Sequence, residues 1–211
     1  MCPKHPNLKN FEVLEAGCGL GSGLQWVQSA HPEVKSVAGI DRVVRNSLNG
    51  LITYSDVHDM QCASNSFNLV LNVESSHCYA DIKKFLQEVE RVLKPGGYFC
   101  WADIAYSKEN HNNQYIFSTL SHFLKIEDIL KYAEKANLEL VSYEDITESV
   151  LDGIDKTAKR YDWMADQSPW FIRIFKVFFR YFYCAPNTEA YSFLQNGDMV
   201  YAAACWKKRE S

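Results

Sequence analysis

Short apolar runs bounded by Gly, Pro, Asn or Asp alternate with longer stretches of helical period, the pattern of a parallel sheet flanked by helices. Phe11-Glu12-Val13-Leu14 predicts strand one, and Gly23 to Ala30 predicts a first helix that Pro32 stops. Val34 to Ile40, Leu51 to Tyr54 and Phe67 to Val73 predict strands two, three and four. From Asp81 to Leu93 the residues Ile82, Phe85, Leu86, Val89, Val92 and Leu93 recur at three- and four-residue intervals, so one helical face is expected to be buried. Lys94-Pro95-Gly96-Gly97 is expected to end that helix, because Pro95 cannot extend it and glycine permits the positive φ of a C-terminal cap. Strand five is expected over Tyr98 to Ile104, a further helix over Ile126 to Ala136, another strand over Leu140 to Ile146 and the last over Met199 to Trp206. Thr147 to Asp198 is too long for a plain connection and too apolar for disorder, and reads as helical cap material inserted before the last strand. With no repeat or linker in view, residues 1–211 read as one domain.

Composition narrows the function more than the fold. The chain has 211 residues, 47% of them apolar, enough to bury one sizeable core. With 26 acidic against 22 basic residues it carries no cationic field that would gather nucleic acid. The seven cysteines (Cys2, Cys18, Cys62, Cys78, Cys100, Cys184 and Cys205) show no C-x-x-C pairing, which argues against structural zinc and a disulfide framework. Met1 to Asn10 has no apolar run to serve as a secretory signal, and reduced thiols in a cytoplasmic location are expected. The greasiest segment, Trp170 to Tyr183, is interrupted by Arg173, Lys176 and Arg180 and is not expected to span a bilayer. Core helix, lid over an apolar substrate and amphipathic surface resting on lipid all remain open for it.

Strand one runs straight into Gly17-x-Gly19-x-Gly21-x-Gly23 and then a helix, a context in which glycines let the backbone turn tightly and approach a ligand. A dinucleotide fingerprint places its third glycine three residues after the second; Ser22 stands there instead. Glu15 adds a carboxylate suited to a cationic amino-acid moiety rather than to a pyrophosphate. An ordinary glycine-rich turn is the alternative.

The run Glu15-Ala16-Gly17-Cys18-Gly19-Leu20-Gly21 resembles motif I of the class I S-adenosylmethionine-dependent methyltransferases, and the resemblance extends from Glu12 to Trp206. It implies a Rossmann-like, mostly parallel seven-stranded α/β sheet and S-adenosylmethionine as cofactor, held by Glu15 and the loop Gly17, Cys18, Gly19 and Gly21. By the same resemblance Asp41 at the end of strand two would hold the ribose hydroxyls. Asp56 and Val57 would meet the adenine, and the backbone of Asn72 would face the methionine part of the cofactor. Asn72-Val73-Glu74-Ser75-Ser76-His77-Cys78-Tyr79 resembles the post-strand-four loop of small-molecule and lipid methyltransferases of the tocopherol, sterol and phthiotriolone types, in which Glu74 and His77 would point toward the substrate. His77 has the intrinsic pKa of a general base for an O–H acceptor, with Glu74 orienting it or holding that acceptor; a hydrogen-bonded loop histidine is the alternative. Asp103 and Trp101 would lie near the mouth of the site, and the insertion would cap it.

Two features depart from the family. Ten residues precede strand one where the family has one or two helices, and nine residues separate Asp41 from Leu51, too few for a full crossover helix. The helix between strands two and three is therefore expected to be shortened or absent. The leading reading is methyl transfer to a hydrophobic small molecule or lipid. The second is an impaired, methyltransferase-like binding or regulatory partner; a nicotinamide-dependent dehydrogenase stands third on glycine spacing.

Overall fold

A computed structural model describes residues 7–44, 50–107, 122–170 and 185–210. In chain order the elements are β1 (Glu12–Ala16), α1 (Ser22–Ala30), β2 (Ser36–Asp41), β3 (Ile52–Tyr54), β4 (Phe67–Val73), a 3₁₀ turn (Ser76–Cys78), α2 (Ile82–Val92), β5 (Leu93–Tyr106), α3 (Ile126–Lys135), β6 (Leu138–Asp145), α4 (Thr147–Asp166), α5 (Glu189–Gln195) and β7 (Met199–Lys208). One seven-stranded sheet has the order β3-β2-β1-β4-β5-β7-β6, parallel except where β7 runs against both β5 and β6. The expected Rossmann-like sheet is thus present, with the strand order reversing between β1 and β4, where such folds open a ligand crevice at the carboxyl ends.

Each face of the sheet carries its own core. On one, the apolar stripe of α2 (Phe85, Leu86, Val89, Val92) packs with α3 against Val70, Phe99, Trp101 and Trp206; Phe85 meets Phe99 edge-on, and Phe99 stacks on Trp206 at 5.3 Å. On the other, Leu24 and Val27 of α1 cover Val13, Val37, Ile52 and Leu69. Asp81 starts α2 by accepting from the backbone N–H groups of Lys83 and Lys84, as an N-cap does.

Several boundaries differ from the sequence expectation, those where α2 meets β5 and where β5 ends among them. The helix ends at Val92 with extended Leu93 as its cap, so the Lys94-Pro95-Gly96-Gly97 turn follows the first β pairing, Phe67 with Leu93, instead of capping the helix. Strand five also outlasts Ile104, because Ala105 and Tyr106 find partners in Val200 and Met199. In the expected cap region α4 and α5 are helical, while the aromatic segment 171–184 lies outside the described residues, as do 45–49 in the short connection after β2. Among the described residues no helix is long and apolar enough to cross a membrane.

Lys208 had no sequence signal. Its buried ammonium donates to the carbonyls of Glu90 (2.8 Å) and Leu93 (2.9 Å) and to Asn65 Oδ1, with the Glu90 carboxylate at 3.2 Å. It ties the last strand to carbonyls that the end of α2 leaves without helical partners. Lys208→Ala strands those acceptors and should destabilise the fold by roughly 2–4 kcal/mol, read from denaturant unfolding.

Candidate active site

The loop after β1 is built by its own backbone. Gly17 and Cys18 both donate N–H to the Ile40 carbonyl (2.9 and 3.2 Å), tying the loop to the end of β2, and Gly21 donates to the Cys18 carbonyl. Gly17 and Gly19 have φ of +71° and +54°, where a side chain is strained. Their surroundings differ. A Cβ on Gly17 would collide with the Tyr79 hydroxyl and the Ser75 side chain, whereas one on Gly19 would meet nothing within 4 Å among the described residues. Gly19 therefore borders open space, and its N–H donates to Asp41 Oδ2 at 2.8 Å while Asp41 Oδ1 accepts from Val43 N–H.

That space is a cleft of about 370 Å³ at the carboxyl ends of β1 and β4. Gly17, Gly19, Asp41, Asp56, Val57 and Glu74 line it, together with Ser75, Cys78 and Tyr79. Glu15, Cys18, Gly21 and Asn72 do not. The Cys18 sulfur packs toward Gly39 on the α1 side of the sheet, its thiol pushed up to about 12 by burial and the nearby Glu15 and Asp41 charges. Gly21 is the left-handed N-cap of α1.

Glu15 lies beneath the loop, 7% exposed, beside Gly23. Burial raises its pKa, opposed by a hydrogen bond from the Leu24 backbone, and Oε2 has no partner among the described residues. Asn72 is fully buried and anchors the loop from β4: its Nδ2 lies 2.8 Å from the Ala16 carbonyl, Ser75 Oγ and Tyr79 Oη, while Oδ1 has no partner among the described residues. Tyr79 and Ser75 thus brace Gly17 from below, a role the sequence did not disclose. Asp56 faces the cleft but accepts from both the backbone N–H and Nδ1 of His58 (2.9 and 2.7 Å), which hold its carboxyl below the usual range.

The post-β4 loop places Glu74 and His77 differently from the expectation. They do not pair. Glu74, at φ +50°, accepts from the Tyr201 hydroxyl of β7 at 2.6 Å; burial, with that bond second, pushes the Tyr201 pKa well up and keeps the proton in place. His77 turns to Asp103 of β5, with Nδ1 2.8 Å from Oδ1 and the backbone N–H 3.1 Å from Oδ2. Asp103 is fully buried and so does not reach the mouth of the site; it also accepts from Ser76 Oγ (2.6 Å) and Ile104 N–H (2.8 Å), and Ser76 in turn accepts from Trp101 Nε1. The Asp103 hydrogen bond raises the His77 pKa above its ordinary 6.5 against the opposing effect of burial. A carboxylate on Nδ1 keeps that nitrogen protonated and leaves Nε2 as the basic one. The His77 ring, stacked on Phe123 at 5.6 Å, does not line the cleft that Gly17 and Gly19 border.

A methyltransferase domain model matches residues 14–101. A Mycobacterium ulcerans protein named probable phthiotriol/phenolphthiotriol dimycocerosates methyltransferase 2 is 32% identical over 79% of the chain, which spans 62% of that relative's length. The phthiotriol/phenolphthiotriol dimycocerosates methyltransferase of Mycobacterium tuberculosis is 30% identical over 96% of the chain, which spans 71% of its length. In fold the chain is similar to the Haemonchus contortus phosphoethanolamine N-methyltransferase 2 solved in complex with S-adenosyl-L-methionine, with a TM-score of 0.75 at 16% identity, covering 97% of this chain and 50% of that one. With motif I on the turn after β1 and the strand order reversing above it, the chain belongs to the class I S-adenosylmethionine-dependent methyltransferases.

Proposed function

We propose that the chain transfers a methyl group from S-adenosylmethionine to a hydrophobic, lipid-like acceptor, with His77 as the base for an O–H acceptor. The observation that carries this reading is the cleft between the glycine turn and Asp41, adjoining the loop that presents the His77–Asp103 pair. The acceptor class rests on the relatives, whose names give lipid substrates.

The residues present fit the cofactor. A buried carboxylate oxygen without a partner is costly unless a cation approaches it, and Glu15 Oε2 suits the ammonium end of the amino-acid moiety. Gly17 and Gly19 would admit the ligand to the backbone, Asp41 would accept from the ribose hydroxyls, and Val57 would offer apolar contact to the adenine with Asp56 at its edge. Cys18, Gly21 and Asn72 support the loop in this reading, Asn72 through its buried amide.

When bound, S-adenosylmethionine supplies an electrophilic methyl on a sulfonium sulfur, which in-line displacement transfers to the acceptor. The protein's work is then position and a proton. Asp103 holds the His77 ring so that Nε2 accepts the acceptor's proton, and the resulting imidazolium is stabilised by the buried carboxylate beside it. Glu74, its direction set by Tyr201, faces the cleft where it would hold the acceptor.

Calorimetry with S-adenosylmethionine tests the cofactor half of the reading. Asp41→Ala should weaken binding by roughly 1.5–3 kcal/mol, the scale of hydrogen bonds to a charged group. Unchanged affinity would remove Asp41 from the site.

A further inference from the structure

Cys100 on β5 and Cys205 on β7 stand directly opposite each other in the antiparallel ladder, and their sulfurs are 3.3 Å apart. We propose that this pair is a site of reversible oxidation, closed into a cross-strand disulfide by a peroxide.

The backbone already has the geometry. Directly opposed antiparallel residues have Cα atoms roughly 4.5–5.5 Å apart, inside the 4.4–6.8 Å range of disulfides, so closing the sulfurs to about 2.05 Å needs no change of register. Both residues are half-buried, on the face opposite the one bearing Phe99, Trp101 and Trp206. The neighbouring opposed pairs on their face are Ala102 with Ala203 on one side and Tyr98 with Lys207 on the other. Chemistry selects the attacking atom. The Cys100 thiol donates to the Cys205 sulfur and holds its pKa below the ordinary range against burial, whereas burial raises Cys18, Cys62 and Cys78.

In the first step the Cys205 thiolate attacks one oxygen of hydrogen peroxide; the S–O bond forms, the O–O bond breaks, and hydroxide leaves to become water. Cys100, losing its proton, then attacks the Cys205 sulfur; the S–S bond forms, the S–O bond breaks, and the departing hydroxide takes up that proton. The balance is two thiols and one peroxide to one disulfide and two waters, and a dithiol reductant reverses it. The bond joins positions 105 residues apart. It also fastens β5, which carries Asp103, to β7, which carries Tyr201, and in the chain-entropy picture so long a loop gains substantially from closure.

The full chain, exposed to a small excess of hydrogen peroxide, alkylated, digested and weighed by mass spectrometry, should yield a peptide pair joined through Cys100 and Cys205. The pair should vanish on dithiothreitol treatment, and the oxidised protein should melt roughly 5 °C or more above the reduced one. Cys100→Ser and Cys205→Ser should each abolish both effects, while Cys62→Ser retains them. Recovery of Cys100 and Cys205 as separately alkylated or singly oxidised residues would overturn the proposal. So would cross-links spread equally over other cysteines.

Discussion

His77→Ala should lower turnover on an oxygen acceptor by roughly 10²–10⁴-fold, the usual contribution of a positioned base, while leaving cofactor affinity unchanged. The grounds are that Nδ1 is committed to Asp103 and that the ring lies apart from the glycine-bordered cleft. The pH dependence follows from the raised pKa. Only the neutral ring accepts a proton, so turnover should climb with pH through a midpoint above 6.5 and then level off. Asp103→Asn removes the charge that raises the pKa and can hold the ring in the wrong tautomer, so it should lower turnover and move the midpoint down. Stability runs the other way: the His77–Asp103 pair stabilises fully below the unfolded histidine pKa, and its contribution is lost as pH rises through the folded value. Urea titrations from pH 6 to pH 9 would show that loss in the wild type and not in His77→Ala. A flat pH–rate profile, with His77→Ala fully active on every acceptor, would leave proximity as the whole mechanism.

Gly19→Val should reduce S-adenosylmethionine binding below detection without unfolding the protein. No described residue lies within 4 Å of a Cβ at Gly19, so the added volume goes into the cleft, at the cost of a β-branched residue at φ +54°. Gly17→Ala makes the contrast: its methyl would strike Tyr79 and Ser75 at φ +71°, and it should lower thermal stability as well as binding. Circular dichroism and a binding titration on the same samples separate the two. Normal affinity in folded Gly19→Val would show that the ligand does not approach this loop.

Local pattern disclosed what local pattern determines. The short apolar runs and the stretches of helical period placed the seven strands and helices α1 to α3, the largest shift being the start of β5 at Leu93 instead of Tyr98, and the turn after β1 was legible because its glycines, Glu15 and Asp41 stand in a strand–turn–helix context. What stayed hidden depends on pairs distant in sequence. Asp103 lies 26 residues from His77, and Tyr201 lies 127 from Glu74, so Glu74 looked like the natural partner of a histidine three residues away. The left-handed backbone at Glu74 and the 3₁₀ turn after it send the two side chains to different strands. Tyr79 could not be told from a core aromatic; its ring does pack on Phe85, and only its hydroxyl, under Gly17, reveals the second role. Lys208 gave no signal in the sequence because the carbonyls it satisfies belong to the end of α2.

Methyl-labelled S-adenosylmethionine, incubated with the protein and a detergent-dispersed panel of hydrophobic alcohols and phenols, tests the central claim most directly. Label entering the organic phase in step with formation of S-adenosylhomocysteine, and lost in Gly19→Val, is the predicted result. A protein that binds the cofactor yet forms no S-adenosylhomocysteine above the enzyme-free blank with any acceptor would contradict it, and would assign the chain the role of a binding partner that has kept the fold.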